Sequence, residues 1–355
     1  MKILILTSTL DEKDGVGRYS LGILNALKER GIDVSVVSND VLPSPLSFNK
    51  VYFCAPWYAW KLRKLAQDSD LIHIFSETYS YIAYWLSKFS GKKYLVTAHG
   101  TYGVMSFHLG GFKRYFHQTS FANAEHIICV SSYTMKRLRE FGLENLRVIT
   151  NGINFDKFYQ PSDSVLKKGD YILSVGSLKH RKGYHVSIKA FAEVRKYRKD
   201  LRYVIVGNQE DEKYFSLLKD LVSKLHLDDS VEFLQSVSHD KLLALYRGAL
   251  AFVLTPVSEG YYFEGFGLTY LEAGASGVPL LGSFDTGAED AIKDGETGIL
   301  VPQGNVVELS KGILKILEEE EFSQQMSANG IEWSREHDWR SVISHYVNVY
   351  SQIIK

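Results

Sequence analysis

The amino-acid sequence predicts an α/β protein with two doubly wound parallel sheets. Its 355 residues suit two domains, since soluble domains commonly hold about 150 residues each. Short apolar runs rich in β-branched residues alternate with helical patterns along the chain, which is typical of βαβ units. The alternation stops once, in the polar stretch Phe155–Asp170, and then restarts. This pause indicates a linker between two domains.

The first domain begins with a buried-strand pattern at Lys2–Thr9 and a helical pattern at Arg18–Arg30 that ends at Gly31. A glycine directly after a helical pattern is typical of a helix end. The later strand patterns of this domain are Asp33–Ser38, Leu71–Phe75, Tyr94–Ala98, His126–Ser131 and Arg147–Thr150. Its later helical patterns are Tyr79–Phe89, Gly111–Asn123 and Ser132–Phe141. We assign residues 1–160 to a Rossmann-like N-terminal domain.

The second domain repeats the alternation over residues 161–337. Its strand patterns are Tyr171–Val175, Arg202–Val206, Val231–Leu234, Ala251–Thr255 and Pro279–Gly282. Its helical patterns include Tyr184–Tyr197, Glu212–Leu225, Lys241–Tyr246 and Leu268–Ala275. A further helical pattern, Asp338–Lys355, has one apolar face. We expect a ligand site between the two domains, because open α/β sheets bind ligands at the carboxyl ends of their strands.

Composition excludes several classes of protein. The chain holds 41 Lys and Arg against 41 Asp and Glu, which argues against a nucleic-acid partner bound by bulk electrostatics. Two cysteines are too few for a disulfide framework or a thiolate metal site. No apolar run is long enough to span a bilayer, and the opening segment MKILILTSTL is predicted to be a strand rather than a signal peptide. We therefore expect a cytoplasmic protein.

The strongest motif for chemistry is EGYYFEGFGLTYLEAGASG at Glu259–Gly277. Glu264 follows a predicted strand, and Gly265, Phe266 and Gly267 lead from it into a helix that begins at Leu268. The two glycines let backbone N–H groups approach a ligand at a helix N-terminus. Glu264 and Glu272 could each accept hydrogen bonds from the hydroxyls of a sugar ring. Taken alone, the motif could also be a glycine turn whose acid offsets the helix dipole.

Two loops after other predicted strands add candidate groups. The basic segment VGSLKHRKG at Val175–Gly183 places Arg181 and Lys182 before a helix, where cations suit a diphosphate. Taken alone, it could be a solvated basic loop. The segment DEKDGVGR at Asp11–Arg18 contains Gly15 and Gly17, which permit close approach of a ligand. No third glycine completes a dinucleotide fingerprint, so we discount NAD.

His99 lies in the segment TAHGTYG, directly after a predicted strand. A histidine at a strand end can present its imidazole to a ligand. A packed loop histidine is the alternative for any lone histidine.

The segment SEGYYFEGFGLTYLEAGASGVPLLGS, followed by DGETGILV at Asp294–Val301, resembles family 4 of the retaining glycosyltransferases (glycosyl transferases group 1). The resemblance runs from the Gly15 loop to Val301. It implies the GT-B fold, in which two Rossmann-like domains face a central cleft and a C-terminal helix, here 338–355, crosses back to the N-terminal domain. The N-terminal domain would bind the acceptor, and residues 161–337 would bind the nucleotide-sugar donor.

The resemblance also implies roles for single residues. Glu264 would hold hydroxyls of the donor sugar, and Glu272 would bind the ribose of the nucleotide. The backbone of Gly265, Phe266, Gly267 and Leu268 would reach the sugar and the diphosphate. Lys182 would bind the diphosphate, with Arg181 replacing a basic residue that the family has at Ser177. Gly15 and Gly17 would face the diphosphate, and His99 would contact the donor sugar.

The implied activity is transfer of a hexose-type sugar from a nucleoside diphosphate sugar to an acceptor hydroxyl, with retention of anomeric configuration. Polysaccharide, lipopolysaccharide or glycolipid biosynthesis would use such a reaction. The co-substrate is the nucleotide sugar, and we expect no cofactor and no metal. Alternatives are a nucleotide-sugar epimerase or phosphorylase of the same fold, and a non-catalytic subunit that binds nucleotide sugars.

The expected acceptor is a glycan or a lipid-linked glycan. The basic and aromatic segment MSFHLGGFKRYFHQTSF at Met105–Phe121 could rest on a bilayer and collect a lipid-linked acceptor. An ordinary helix with a buried face is the favoured alternative for this segment. Peripheral contact with a membrane through the N-terminal domain is thus a further expectation.

Overall fold

The computed structural model describes residues 1–12, 14–42, 48–108, 110–160 and 168–355. The chain divides into two compact units. The first unit comprises residues 1–152 and 338–355, and the second comprises residues 153–337. Within the described ranges, no helix is both long enough and apolar enough to cross a bilayer.

The first unit contains a parallel sheet of six strands in the order β2-β1-β3-β4-β5-β6. These strands are β1 (Lys2–Leu6), β2 (Asp33–Val37), β3 (Leu71–Ile74), β4 (Tyr94–Ala98), β5 (His126–Cys129) and β6 (Leu146–Val148). The helices between them are α1 (Gly15–Glu29), α2 (Phe48–Gln67), α3 (Ser80–Ser90), α4 (Thr101–His108), α5 (Gly111–Ala122) and α6 (Ser132–Arg139). Strands β1, β3 and β4 are buried in the middle of the sheet, as their continuous apolar runs predict.

The second unit contains another parallel sheet of six strands, in the order β12-β11-β10-β7-β8-β9. Its strands are β7 (Tyr171–Val175), β8 (Arg202–Val206), β9 (Val231–Leu234), β10 (Ala251–Val253), β11 (Leu280–Ser283) and β12 (Gly298–Val301). Its helices are α7 (Phe155–Phe158), α8 (Tyr184–Arg195), α9 (Glu212–Lys224), α10 (His239–Gly248), α11 (Leu268–Ala275), α12 (Ala288–Ala291), α13 (Val306–Glu318) and α14 (Glu320–Glu336). The expectation of two doubly wound parallel sheets is confirmed.

Helix α15 (Trp339–Ile354) follows the second unit in sequence but belongs to the first. Asp338 caps it by accepting a hydrogen bond from the Arg340 N–H at 2.8 Å. Its apolar face packs into the core of the first unit. Gly22 of α1 lies against the indole of Trp339 so closely that a Cβ there would collide with the ring. The small residue on α1 therefore permits the two helices to approach.

Buried hydroxyl groups also hold α15 in place. Tyr350 lies with its hydroxyl 2.7 Å from Nδ1 of His73, and Tyr346 lies with its hydroxyl 3.1 Å from that of Tyr19. His73 also contacts the Thr97 hydroxyl through Nε2 at 2.9 Å. Burial lowers the pKa of His73 to about 3, so the ring is neutral at physiological pH. The network satisfies polar groups that the core would otherwise leave without partners.

The division between the units differs from the predicted boundary at residue 160, since it falls between residues 152 and 153. Part of the predicted linker is helix α7, which packs on α11 and buries Phe155 and Phe158. The sequence did not predict this helix, because Phe155 and Phe158 are surrounded by polar residues in the sequence. The predicted linker residues Pro161, Ser162 and Ser164 lie outside the described residues. The first and last residues of the second unit are hydrogen-bonded to each other: the Ile153 N–H donates to the His337 carbonyl at 2.9 Å.

The segment Met105–Phe121 is not one helix. It divides into α4 and α5, and Gly111 at the start of α5 has a positive φ of 60°. Phe107 and Phe121 are buried, whereas Phe112 and Tyr115 are exposed. The segment therefore supplies both core contacts and surface aromatic groups.

Candidate functional site

The basic turn, His180–Lys182, follows β7 at the carboxyl edge of the second sheet. It ends at Gly183, which has a φ of 74°, a conformation that favours glycine. A Cβ at Gly183 would collide with the carbonyl oxygen of Thr255, just beyond β10. The Val257 N–H donates to the Arg181 carbonyl at 2.9 Å. These contacts hold the basic turn against the segment that leads to Glu264.

Two cations of the basic turn converge on Glu264. Nζ of Lys182 lies 2.6 Å from Oε2 of Glu264, and Nη1 of Arg181 lies 2.9 Å from the same oxygen. Glu264 and Lys182 are largely buried, and Arg181 is partly exposed. The structure thus joins three residues that the sequence places in two separate loops.

The ionisation of Glu264 follows from these contacts. Burial alone would raise the pKa of its carboxyl group, but the charges and hydrogen bonds of Lys182 and Arg181 outweigh burial. The pKa of Glu264 is therefore below its ordinary value, and the group is a carboxylate at neutral pH. A cluster with two cations and one anion has a net positive charge that an anionic ligand can use.

The glycine turn, Glu264–Gly267, leads into α11. Gly267 has a φ of 87°, and a Cβ there would collide with the ring of Tyr270. A Cβ at Gly287 would collide with the Gly265 carbonyl, and the Gly287 N–H donates to the Glu264 carbonyl at 2.9 Å. Glycine is thus needed both within the turn and beside it. The N-terminus of α11 presents its positive end at this turn.

Glu272 lies in the second turn of α11 and is buried. Its Oε2 accepts a hydrogen bond from the Tyr246 hydroxyl at 2.9 Å. Tyr246 lies on α10, is fully buried and was not a predicted site residue. No sequence signal relates these positions, because they come together only when α10 packs on α11.

The first unit places His99 at the carboxyl end of β4. Its Nε2 lies 2.6 Å from the Phe75 carbonyl, which can only accept, so Nε2 carries the hydrogen. The edge of the Tyr19 ring packs against the imidazole with centroids 4.5 Å apart. These contacts fix the orientation of the ring.

Glu77 supports the His99 loop and was missed by sequence reasoning. Its Oε1 accepts hydrogen bonds from the His99 N–H at 3.2 Å and the Gly103 N–H at 3.0 Å. Burial raises the pKa of Glu77, although His99 and the backbone donors oppose this effect. The available signal was an acid just after one strand, beside the end of a neighbouring strand.

The two predicted loop glycines of the first unit differ in their surroundings. Gly15 begins α1, with open space where a Cβ would stand. At Gly17 a Cβ would collide with the Asp11 carbonyl, so the loop's own packing requires this glycine. Among the residues that the structure describes, no group of three or more acidic, histidine or cysteine side chains is arranged to hold a metal ion.

Comparisons with known proteins follow the same division of the chain. Residues 156–333 match the family model described as glycosyl transferases group 1, and residues 13–157 match that of glycosyltransferase family 4. The chain belongs to the glycosyl transferases group 1 family. The resemblance noted in the sequence is thereby confirmed.

Two relatives match this glycosyltransferase over most of its length. An uncharacterized glycosyltransferase of Methanocaldococcus jannaschii is 25% identical over 83% of this chain and 80% of its own. The phosphatidyl-myo-inositol mannosyltransferase of Mycobacterium leprae is 24% identical over 99% of this chain and 96% of its own.

Two solved structures share the fold. HepE of Anabaena, in complex with UDP and glucose, matches with a TM-score of 0.78 and 19% identity, over 99% of this chain and 100% of its own. A glycosyltransferase from Rickettsia africae matches with a TM-score of 0.81 and 20% identity, over 100% of this chain and 98% of its own. The expectation of the GT-B fold is confirmed.

The predicted site residues lie in both units of the glycosyltransferase. The second unit brings together Arg181, Lys182 and the glycine turn, which continues through Phe266 into Leu268, and it holds Glu272 in the same helix α11. The first unit holds His99, Gly15 and Gly17 at or near the carboxyl ends of its strands. The cluster of the second unit can bind an anion beside groups that accept hydrogen bonds from hydroxyls.

Proposed function

We propose that this glycosyltransferase moves a sugar from a nucleoside diphosphate sugar to an acceptor hydroxyl and retains the anomeric configuration. The convergence of Lys182 and Arg181 on Glu264, beside the N-terminus of α11, carries this proposal. A diphosphate needs cations and backbone donors, and a sugar needs hydrogen-bond acceptors. This cluster offers all three where the basic turn meets the glycine turn.

The cations would act on the leaving group. In the proposed step, the bond from the anomeric carbon to the diphosphate breaks and the acceptor oxygen attaches on the same face of the sugar. The acceptor proton passes to an oxygen of the departing diphosphate. Lys182 and Arg181 stabilise the negative charge that grows on that diphosphate, and the helix dipole of α11 adds to their effect.

Glu264 would have one role before the donor binds and another afterwards. Without a donor, its carboxylate is the counter-ion of Lys182 and Arg181 and holds both cations in position. With a donor bound, the phosphates take over as partners of the cations, and Glu264 accepts hydrogen bonds from sugar hydroxyls. The cations are thus preorganised before the substrate arrives, which reduces the reorganisation that catalysis requires.

We assign the remaining site residues as follows. Glu272 binds the ribose hydroxyls, with one oxygen oriented by Tyr246. The backbone of the glycine turn and Leu268 binds the sugar and diphosphate. His99 contacts the donor sugar, and Gly15 and Gly17 face the diphosphate. The reaction needs no metal and no cofactor, since the two cations and the helix terminus supply the positive charge.

The acceptor would be a glycan or a lipid-linked glycan in polysaccharide, lipopolysaccharide or glycolipid biosynthesis. The name of the Mycobacterium leprae relative, a phosphatidyl-myo-inositol mannosyltransferase, supports a lipid-linked acceptor. The UDP complex of HepE supports a nucleoside diphosphate donor. We further propose that the protein works in the cytoplasm at the periphery of a membrane.

The test measures donor binding first and transfer second. Purified protein is screened by thermal shift with UDP-, GDP- and ADP-sugars, since a ligand that binds the folded state raises its stability. The donor that binds is then mixed with acceptor extracts, and release of free nucleoside diphosphate is followed. Release that depends on the acceptor supports the transferase. Binding without such release would favour the non-catalytic subunit, and isomerised sugar without release would indicate an epimerase.

A further inference from the structure

Helix α2 has an unusual distribution of side chains in the first unit. Its buried face consists mostly of small residues, Ala55, Ala59 and Ala66, with Leu62. Its opposite face exposes three large aromatic residues: Phe53 is 77% exposed, Trp57 52% and Trp60 54%. A surface helix of a globular protein normally directs its large apolar residues inward. In α2 the large apolar residues lie on the exposed face instead, which indicates that this outer face has a partner.

Charge identifies the chemistry of that partner. Helices α2, α3, α4 and α5 contain no Asp or Glu in their sequences. Among the side chains that the structure describes there, three of these helices, α2, α3 and α5, carry the cations Lys61, Arg63, Lys64, Lys88, Lys113 and Arg114. Helix α3 packs against both α2 and α5, so the segments form one group. The exposed side chains of α2 that the structure describes include Lys61 and Lys64 and no acid, and a surface of this kind complements an anionic surface.

The aromatic and cationic groups of α2 are also mixed at atomic scale. Nζ of Lys61 lies 4.0 Å from the centre of the Trp57 ring, and Cζ of Arg63 lies 4.1 Å from that of Trp60. Phe112 and Tyr115 of α5 add two further exposed aromatic rings. Tryptophan and tyrosine favour the headgroup level of a bilayer, where lysine and arginine stems extend to the phosphates.

We propose that the outer face of α2, with α5 as a secondary contact, docks on a bilayer that contains anionic lipids. A symmetric contact between two copies of this face is disfavoured, because it would place cations against cations. The inference rests on the proposed function only in its lipid-linked acceptor, and it adds the docking element and the charge of the lipid. Docking would hold the first unit where a lipid-linked acceptor lies.

The experiment measures co-sedimentation of the full chain with two kinds of vesicle. One is pure phosphatidylcholine, and the other holds equal parts of phosphatidylcholine and phosphatidylglycerol. We expect strong partition to the second kind only, reduced by high salt because salt screens the attraction. Blue-shifted tryptophan fluorescence on binding, and its quenching by brominated lipids, would report insertion of Trp57 and Trp60.

Two variants separate the apolar and the charged contributions. The triple variant Phe53→Ser, Trp57→Ser, Trp60→Ser should lower partition roughly tenfold or more, since it removes the groups that enter the interface. The variant Lys61→Gln, Lys64→Gln keeps the aromatic rings and should lower partition and its salt dependence. The control Leu217→Ser, Lys213→Gln changes exposed residues of α9 in the second unit and should bind as the wild type does.

Other outcomes would overturn the proposal. Equal partition of wild type to both vesicles, or unchanged partition of both α2 variants, would exclude docking by this face on anionic lipid. Absence of vesicle binding together with a dimer that the triple variant abolishes would assign the face to a second copy of the chain. Thermal shift with the donor is measured for each variant, so that failure of docking is distinguished from failure of donor binding.

Discussion

Lys182 and Glu264 form a buried ion pair with 2.6 Å between Nζ and Oε2, and Arg181 adds a second cation to the same oxygen. A buried carboxylate that loses such partners is strongly destabilising, whereas a bound anion can replace it as their counter-ion. The pair therefore couples the stability of the second unit to the occupancy of its candidate site.

Removal of the Lys182 charge should affect turnover more than donor affinity. Lys182→Ala is expected to lower kcat by roughly a hundredfold to a thousandfold, because the cation is proposed to stabilise charge that develops on the leaving group. Steady-state kinetics with the identified donor measure kcat and KM separately. Lys179→Ala removes an exposed cation three residues away and should retain near-normal kinetics. Equal losses in kcat and in donor affinity would contradict the leaving-group role.

The pH dependence of stability should report Glu264. Its folded-state pKa is below its ordinary value of 4.5, so its stabilising effect is complete above about pH 4.5 and is lost as pH falls through the folded-state pKa. Glu264→Gln should therefore be less stable than wild type at neutral pH, by about 3 kcal/mol or more, and this difference should shrink in acid.

Urea unfolding at a series of pH values measures that difference. Glu259→Gln serves as the control, because the Glu259 side chain is well exposed. A stability difference for Glu264→Gln that stays constant across the acid range would exclude ionised Glu264 as its source.

Nucleotide affinity should depend on Glu272 and, to a smaller extent, on Tyr246. Glu272→Ala is expected to weaken nucleotide binding by roughly tenfold or more, since it removes the carboxylate that is proposed to accept hydrogen bonds from the ribose. Tyr246→Phe removes only the hydroxyl that orients Oε2 and should cost a few-fold. Calorimetric titration with the nucleoside diphosphate measures both. Tyr203→Phe, a buried tyrosine of the same unit bonded to Ser174 and Ser187, is the control. Unchanged affinity in Glu272→Ala would refute its ribose role.

Transfer should continue in excess chelator. Lys182, Arg181 and the N-terminus of α11 are proposed to supply the positive charge that a divalent cation would otherwise provide. Transfer rates are compared with EDTA, with magnesium and with no addition. A loss of activity with EDTA that magnesium restores would show that the reaction needs a metal.

Two substitutions of Glu77 should have opposite effects on stability. Glu77→Ala leaves the N–H groups of His99 and Gly103 without their acceptor and should cost about 1–3 kcal/mol. Glu77→Gln keeps an acceptor oxygen and removes a buried charge. The folded-state pKa of Glu77 is above its ordinary value of 4.5, so ionisation at higher pH disfavours folding. The stability of Glu77→Gln relative to wild type should therefore increase as pH rises above about 4.5, as unfolding measurements will show.

The sequence predicts those elements whose apolar residues face the core. Strands β4, β7 and β8 and helix α11 have the predicted bounds, because each is a continuous and mostly buried run. Strand β9 also has the predicted bounds, although its residues are only partly buried. Helix α2 was not predicted, since its aromatic residues face outward and its buried face is mostly alanine. Helix α7 was taken for linker, because its two buried phenylalanines lie in a polar stretch.

The candidate site divides in a similar way. Lys182 and Glu264 lie in turns that follow strands, and Glu272 lies in the helix after the glycine turn, so the motifs and the family resemblance could nominate all three as site residues. Tyr246 and Glu77 were missed, because each contacts a partner that only the folded chain brings near. The ion pair between Lys182 and Glu264 was likewise unpredicted, since both had been assigned to a ligand rather than to each other.

The hydrogen bond between Ile153 and His337 has a consequence for biosynthesis. The second unit starts and ends at adjacent points, so it is an insertion within the first unit and can fold as soon as it leaves the ribosome. The first unit cannot complete its core until later, because α15 is translated only after the whole insertion. Until then the surface of α1 around Gly22 lacks its cover. Released chains truncated after Asp338 should therefore resist protease within residues 168–337 while residues 1–152 are still cleaved.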